Sequence, residues 1–213
     1  MRWFRDGFCQ AEVEEAKRTG RDPYDLMNEK ARDIPAGSYG MQCCFSDTMN
    51  FINWKHASPT FTNFLLEPEK FNKYTFYRAI LENTALLVRS HIELVREATG
   101  HEPDELIFAG GAAKSPLWSQ IVADVAGKPV KVPVVKEATA LGAAILAGVG
   151  VGLYDSVEQA VERTVKWDRA YRPDPSVKPV YDGLYASWRQ IYPAQLALCD
   201  QGLTRNMWIA PGL

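Results

Sequence analysis

The chain has 213 residues, of which 46% are hydrophobic and 23% are charged, and its formal net charge is −2. This length and balance are those of a globular protein with one sizeable core. A net charge this small gives no electrostatic reason to expect nucleic acid or an anionic membrane as a partner. No apolar run reaches membrane-spanning length, and the first residues, MRWFRDGF, are too charged and aromatic for a signal peptide.

The cysteines and histidines do not indicate metal or disulfide chemistry. No C-x-x-C pair occurs among the four cysteines, which are Cys9, Cys43, Cys44 and Cys199. The three histidines lie far apart in sequence and do not form a cluster with the spacing of metal ligands. We therefore expect no metal site in the chain, and we expect reduced thiols in a cytoplasmic protein.

The first third of the chain is predicted to contain two helices and an irregular segment. Residues 1–17 are predicted to be helical, and one side of this helix carries the aromatic residues Trp3, Phe4 and Phe8. Asp22 predicts the N-cap of a short second helix that runs to Ala31. Prolines, glycines and aromatic residues between Ile34 and Phe71 predict irregular strands and loops. Such a segment either covers a core or lines a pocket, and the sequence does not separate the two.

The strongest helical periodicity lies between Asn72 and Thr99. Seven apolar residues recur at helical spacing along one face, namely Tyr77, Ile80, Leu81, Ala85, Val88, Ile92 and Val95. Gly100 follows directly and is a typical residue for ending a helix. The pattern predicts a long core helix.

A glycine pair lies between a predicted strand and a predicted helix. Leu106–Phe108 is predicted to be a short buried strand, and Ser115 followed by Pro116 is a typical helix start. Gly110 and Gly111 let a ligand approach the backbone closely, beside the free N–H groups of the helix N-terminus. The pair is equally compatible with a turn that serves only strand–helix packing.

The rest of the chain continues to alternate strands and helices. Pro129–Val135 is predicted to be a strand, and Pro133 indicates the edge of a sheet. Thr139–Ala147 is predicted to be a helix of small residues, which allows another backbone to pack closely. A capping box at Ser156 opens a further helix, and an amphipathic helix precedes the C-terminus. The whole pattern predicts an α/β fold with a small sheet flanked by helices.

Other candidate functional residues have ordinary explanations as well. The run GVGVG at residues 148–152 follows a helix rather than a strand, so it lacks the context of a dinucleotide-binding motif. Lys114 can approach a phosphate, but it is equally compatible with solvent. Glu137 precedes the helix of small residues, where the helix dipole alone accounts for an acid. The residues by themselves therefore indicate one candidate nucleotide-accepting turn.

Four segments together resemble the C-terminal domain of the FGGY carbohydrate kinases. They are IPAGSYG, YRAILENTALLV, FAGGAAKSPLWSQIVADVAGKPVKVP and KEATALGAAILAGVGVG. The family includes glycerol, xylulose and gluconate kinases and has the actin-like two-domain ATPase fold, which is related to ribonuclease H. The resemblance implies that residues 1–213 form the C-terminal, nucleotide-side domain. An irregular insert at about 34–71 and a helical extension at about 180–213 complete the expected organisation.

The resemblance implies ATP-dependent transfer of a phosphoryl group, with Mg²⁺, to a hydroxyl of a small sugar-like substrate. The segments FSDTMNF, VPVVKEATALG and QGLTRNMWIAPGL are similar to one branch of the family. For that branch the implied acceptor is the linear dihydroxypentanedione, phosphorylated on its primary hydroxyl. FSDTMNF stands where most members carry a G-E-R-x-P type segment, which argues against a standard pentulose site. A pentulose-type sugar remains the alternative acceptor.

The resemblance also assigns roles to individual residues. Those matched to the nucleotide-binding surface are Gly110 and Gly111 of the adenosine motif, the neighbouring Ala112 and Ser115, and Arg2 on a preceding helix. Those matched to the motif that connects the two domains, with an implied hinge-side contact, are Glu137, Ala140 and Gly142. No residue of this chain is assigned a catalytic role.

The phosphate loop of the family is not found in this sequence. In the family a D-x-G-T loop, a second phosphate segment and the catalytic Asp all precede the part matched here. We therefore expect the N-terminal domain to be absent and the general base to lie before Met1. The chain alone is then expected not to catalyse phosphoryl transfer. The competing hypothesis is a non-catalytic nucleotide-binding or interaction module, in which exposed Trp3, Phe4 and Phe8 would drive formation of a homodimer.

Overall fold

Three short helices open the chain. The computed structural model describes residues 1–45 and 55–209, and in it the first helices are α1 (Arg2–Phe8), α2 (Gln10–Thr19) and α3 (Pro23–Arg32). The single helix predicted over residues 1–17 is therefore wrong, because Cys9 leaves the helical conformation at φ −120° and ψ 40°. The start of α3 is confirmed, since the Asp22 carboxylate accepts a hydrogen bond of 2.8 Å from the Tyr24 N–H.

The aromatic residues of α1 differ in exposure. Phe4 is only 3% exposed and packs beside Tyr77, whereas Trp3 is 58% exposed and Phe8 is 50% exposed. The expectation that all three are exposed is therefore wrong for Phe4. The difference follows from helical geometry, because only one side of a short helix can face the core.

The segment between Ile34 and Phe71 is irregular, as predicted, wherever the structure describes it. It contains three short strands, β1 (Gln42–Cys44), β2 (Lys55–His56) and β3 (Thr60–Thr62). β1 pairs antiparallel with β3, so that Cys43 lies opposite Phe61. Most of the distinctive FSDTMNF segment lies outside the described residues.

The predicted long helix is confirmed as α4 (Lys73–Thr99). The Asn72 side chain accepts a hydrogen bond from the Tyr74 N–H at its start, and Gly100 ends it in the left-handed conformation. Its first half is buried, but Val95 is 48% exposed. The predicted core face therefore holds only for the part of α4 that other elements cover.

A three-stranded sheet and four helices follow α4 in the described part of the chain. The elements are β4 (Leu106–Ile107), α5 (Pro116–Ala126), β5 (Val130–Pro133), α6 (Ala138–Gly150), α7 (Val157–Thr164), β6 (Trp167–Tyr171) and α8 (Lys178–Asp200). The strand order is β4-β5-β6, with β4 parallel and β6 antiparallel to β5. Val130 and Val132 of β5 are buried in the core together with one face of α5.

Two features of this sheet differ from the prediction. Pro133 does not mark a sheet edge, because β5 is the central strand. A proline is tolerated there since the pairing register shifts between Val132 and Pro133, at the end of the strand. β6 was not predicted at all, because its residues are exposed or half-buried and show no apolar alternation.

The C-terminal part packs against the rest of the chain through α8 and pairs with it through a short strand. The predicted amphipathic face of α8 is confirmed, because Tyr181, Trp188 and Tyr192 are buried. β7 (Trp208–Ile209) then pairs antiparallel with β2. All four cysteines are buried, and none of them forms a disulfide with another described residue. Within residues 1–45 and 55–209, none of the helices has the length and apolar character needed to cross a bilayer.

A buried carboxylate joins α2 to α4. Glu12 is 7% exposed, and it receives the ammonium of Lys73 at 2.7 Å and the hydroxyl of Tyr74 at 2.5 Å. Burial tends to raise the pKa of Glu12, but the hydrogen bonds from Lys73 and Tyr74 outweigh it and leave the pKa below the usual 4.5. The carboxylate therefore stabilises the fold in its ionised form.

We expect Glu12→Gln to lower the free energy of unfolding by about 1–3 kcal/mol at pH 7. A folded-state pKa that is depressed contributes stability above the unfolded pKa and loses it as the pH falls through the folded value. The difference between wild type and variant should therefore shrink as urea titrations are repeated below pH 4.5. Glu14→Gln is the matched control, because Glu14 pairs with Lys17 on the exposed face of the same helix. A difference in free energy of unfolding between wild type and Glu12→Gln that stays constant with pH would contradict the role of the Glu12 charge.

Candidate functional site

The glycine pair forms the turn that leads from β4 to α5. Gly110 has φ 82° and ψ −172°, a conformation that only glycine adopts without strain. Its N–H donates to the carbonyl of Lys136 at 2.7 Å. Gly111 begins a 3-10 turn that runs to Lys114. The backbone conformation thus explains the first glycine.

Gly111 needs a different explanation from Gly110. It has no positive φ, and a Cβ built on it would meet no atom within 4 Å. Neither backbone conformation nor packing within the described chain therefore requires a glycine at this position. An open backbone beside a helix start leaves room for a ligand to approach closely.

Ser115 and Pro116 open α5 as predicted. The Ser115 hydroxyl accepts a hydrogen bond of 3.1 Å from the Trp118 N–H, and Pro116 occupies the first helical position. The Trp118 indole N–H donates to the Thr84 hydroxyl at 2.7 Å, which fixes the ring against α4. The start of α5 is therefore held rigidly from both sides.

A cavity of about 390 Å³ lies between the glycine turn, α3 and α4. Its lining residues are Met1, Asp22, Tyr24, Asp25, Asn28, Tyr77, Gly111, Ala112, Lys114, Ser115 and Trp118. This volume is within the range of small-molecule sites, and aromatic walls with a few polar groups are typical of them. The cavity is the candidate ligand site of the described residues.

The structure brings together three of the five residues assigned to the nucleotide surface. Gly111, Ala112 and Ser115 line the cavity, whereas Gly110 lies behind it and supports the turn. Arg2 is exposed and is not among the lining residues.

The sequence did not predict that Asn28 and Tyr77 form the floor of the cavity. Asn28 is 6% exposed and Tyr77 is 2% exposed, and the Tyr77 hydroxyl donates to Asn28 Oδ1 at 3.0 Å. Burial raises the pKa of Tyr77, so its hydroxyl stays protonated and remains a donor. The spacing of Asp22, Asp25 and Asn28, three residues apart on one helix, was the available signal, because such residues share a face.

The segment matched to the interdomain motif is a neighbour of the glycine turn, through the hydrogen bond from Gly110 to the carbonyl of Lys136. Glu137 precedes α6 and its side chain makes no capping hydrogen bond. Ala140 is exposed, and a Cβ on Gly142 would meet no atom within 4 Å. This side of α6 is therefore open to solvent in the described chain.

The family follows from a direct comparison. A family model described as the C-terminal domain of the FGGY family of carbohydrate kinases matches residues 1–151. The chain belongs to the FGGY family. The resemblance found in the sequence is thereby confirmed.

Relatives within the FGGY family are named autoinducer-2 kinase. The one from Yersinia pestis (strain Pestoides F) is 51% identical over 213 residues, which are 100% of this chain and 40% of the relative. The one from Yersinia enterocolitica is 50% identical with the same coverage. The similarity to a particular branch of the family is confirmed. This FGGY chain spans about two fifths of the length of the curated relatives it matches.

Solved structures of FGGY kinases share the fold. Xylulose kinase from Rhodospirillum rubrum superposes with a TM-score of 0.67 at 29% identity, covering 84% of this chain and 35% of that one. Plasmodium falciparum glycerol kinase with ADP gives a TM-score of 0.65 at 19% identity, and the match covers 80% of this chain and 34% of that one. The predicted actin-like ATPase fold, with small sheets flanked by helices, is confirmed.

Proposed function

We propose that this chain is the nucleotide-side domain of a kinase that transfers a phosphoryl group from ATP to the primary hydroxyl of linear dihydroxypentanedione, the autoinducer-2 precursor. The observation that carries the nucleotide part is the cavity at the start of α5, because Gly111, Ala112 and Ser115 line it together. Relatives named autoinducer-2 kinase, 51% identical over the whole chain, support the acceptor.

A positively charged side chain at the cavity supports the binding of an anionic ligand there. Lys114 lines the cavity and is exposed, and it has no ion-pair partner within residues 1–45 and 55–209. An unpaired ammonium next to an open glycine turn suits a phosphate group. We place the phosphates of the nucleotide on the Lys114 side of the cavity and the nucleoside on the side of α3.

We propose that Mg²⁺ binds together with the nucleotide, through its phosphate oxygens. The part of the chain that the structure describes contains no group of three or more His, Cys, Asp or Glu residues placed for a metal ion. Mg²⁺ is usually held by phosphate oxygens and water with one or two carboxylates. We assign no Mg²⁺ ligand to this chain.

We assign the acceptor site and the general base to the part of the kinase that this chain does not span, since it covers 40% of its relatives. Glu137, Ala140 and Gly142 are proposed to face that part. The support is that α6 is apolar yet mostly exposed, with Leu146 63% exposed, and packs mainly on α7. Small residues on an open helix allow a second backbone to pack closely. Residues 34–71 and 180–213 remain the proposed insert and extension of this domain.

The test of the nucleotide site is calorimetric titration of the chain with ATP and ADP in the presence of Mg²⁺. We expect wild type to bind, and Gly111→Val to weaken binding about tenfold or more. The reason is that the new side chain has open space on the protein side and so extends into the cavity rather than into packed atoms. The fold should be unaffected.

Gly183→Val is the matched control for this substitution. Gly183 is exposed on α8 and a Cβ there also meets no atom within 4 Å. Equal loss of binding in both variants, or unchanged binding in Gly111→Val, would contradict the assignment of the cavity to the nucleotide.

Two alternatives to this proposal each have one supporting observation. A non-catalytic interaction module is favoured by the exposed Trp3 and Phe8, which also support the predicted homodimer. A pentulose acceptor is favoured by the structural similarity to a xylulose kinase. The sequence identity to that kinase is 29%, whereas the identity to the autoinducer-2 kinase from Yersinia pestis is 51%. We also propose a cytoplasmic location, which is supported by the absence of disulfides among the four cysteines of the described residues.

A further inference from the structure

The floor of the cavity contains a buried amide with unused donors. Asn28 is 6% exposed, and its Oδ1 accepts the hydroxyl of Tyr77 at 3.0 Å. Its Nδ2 makes no hydrogen bond with the rest of residues 1–45 and 55–209, and the side chain lines the cavity. An amide N–H that lines a cavity without a protein partner can donate to a ligand there.

In the structure, Tyr77 occupies the oxygen end of the Asn28 amide. A carbonyl oxygen can only accept, and the Tyr77 hydroxyl satisfies it, so the Nδ2 donors are left for the ligand. Tyr77 is itself held in the core, where its ring packs beside Phe4. The amide is therefore oriented by a rigid neighbour.

Acceptor groups lie on the same helix face as this donor. Asp25 and Asp22 line the cavity about one and two turns before Asn28, and both are exposed at its rim. One oxygen of Asp22 caps α3 through the Tyr24 N–H, which leaves its other oxygen. The Asp25 carboxylate has no ion pair within the described part of the chain. The face of α3 thus presents one donor followed by acceptors.

This order matches adenine and not guanine. Adenine has a ring-nitrogen acceptor beside its amino donor, whereas guanine has a carbonyl acceptor at the position of that amino group. We propose that Asn28, oriented by Tyr77, donates to a ring nitrogen of the base while Asp25 accepts from the adenine amino group, so that α3 selects adenine nucleotides over guanine nucleotides. Asn28 and Asp25 act here as specificity-determining residues, and Tyr77 is a positioning residue. This inference rests on the proposed nucleotide function of the cavity.

The first experiment is calorimetric titration of the 213-residue chain with ATP and with GTP, for wild type and Asn28→Asp. Asn28→Asp keeps the acceptor for Tyr77 but replaces the donors by a carboxylate oxygen. We expect ATP affinity to fall about tenfold or more, because the lone pair of the ring nitrogen then faces a negative charge. Asn63→Asp is the matched control, since Asn63 is exposed and outside the cavity.

Two further variants measure base selectivity instead of affinity. Asp25→Asn should lower the ATP to GTP affinity ratio, because an amide can donate to the guanine carbonyl. Tyr77→Phe should also lower that ratio, because it frees the Asn28 amide to rotate, whereas Tyr185→Phe removes a tyrosine hydrogen bond outside the cavity and should leave it unchanged. A general loss of structure would not change the ratio in this selective way.

The outcomes separate this inference from the proposed function. Wild type that binds ATP with a clear preference over GTP, and variants that lose this preference, support the inference. Wild type that binds ATP while Asn28→Asp binds it equally well overturns the role of Asn28 and leaves the nucleotide site intact. Wild type that binds neither nucleotide overturns both. If Asn28→Asp melts at a markedly lower temperature, the selectivity ratios of Asp25→Asn and Tyr77→Phe decide the question.

Discussion

Glu82→Leu is expected to lower the free energy of unfolding by about 3–5 kcal/mol. Glu82 is 1% exposed and lies beside Arg78, whose Nε donates to it at 2.9 Å. Burial opposes the charge of Arg78, but the nearby Glu82 carboxylate outweighs it and keeps the pKa of the guanidinium above its ordinary value. Without Glu82, the guanidinium would be buried with no opposite charge, which is among the costliest changes in a core.

Glu82 also holds a strained turn in place. It accepts the Gly37 N–H at 2.9 Å and the Ser38 hydroxyl at 2.7 Å. Ser38 and Tyr39 have φ of 50° and 58°, in the left-handed region that favours glycine. Such conformations persist only where surrounding contacts stabilise them. The substitution should therefore loosen the turn as well as leave the charge of Arg78 buried without a partner.

Urea unfolding followed by circular dichroism measures the effect of Glu82→Leu. Glu97→Leu is the matched control, because Glu97 is exposed on the same helix, and it should change stability by about 0.5 kcal/mol or less. The double variant Arg78→Met with Glu82→Leu should recover part of the loss, since no charge is then left unpaired. A cost for Glu82→Leu below about 1 kcal/mol would contradict this account.

Trp188→Ala is expected to cost about 3–5 kcal/mol of stability. Trp188 is 0% exposed, and its ring lies 6.0 Å from that of Tyr185. Its indole N–H donates to Asn83 Oδ1 at 3.1 Å, and Asn83 is itself buried. The substitution therefore leaves both a large cavity and a buried carbonyl oxygen without its donor.

The same unfolding measurement tests Trp188. Trp167→Ala is the matched control, because Trp167 is 46% exposed on β6 and contacts Lys131 through a cation–π interaction. We expect its cost to be about 1 kcal/mol or less. Trp188→Phe should lie between the two, because it keeps most of the apolar volume and loses the N–H donor. Similar costs for Trp188→Ala and Trp167→Ala would show that α8 is not part of the core.

The prediction for Trp188 bears on how the domain is organised. The family model matches residues 1–151, and α8 lies beyond that range. Nevertheless Tyr181, Trp188 and Tyr192 belong to the same core cluster as α4 and α5. α8 is therefore part of the hydrophobic core of the described residues.

The sequence alone was sufficient for features that depend on neighbouring residues. Asp22, Ser115 and Ser156 each cap a helix at the predicted place, because a cap uses a side chain and an N–H only two or three residues apart. The glycine turn and the family were also found, since motif residues lie next to one another in the chain. Gly111 lines the cavity, and its implied role in nucleotide binding stays a prediction.

Only the tertiary structure decided the features made by residues far apart in sequence. Asn28 and Tyr77 meet across 49 positions, and the Glu82 carboxylate reaches Ser38 across 44. β6 forms because β5 offers it an edge, although its own residues show no strand pattern. Local pattern reports which face of an element is apolar but not which polar group will lie opposite it, because that depends on how the elements pack. The donors and acceptors of the cavity are therefore a product of the fold.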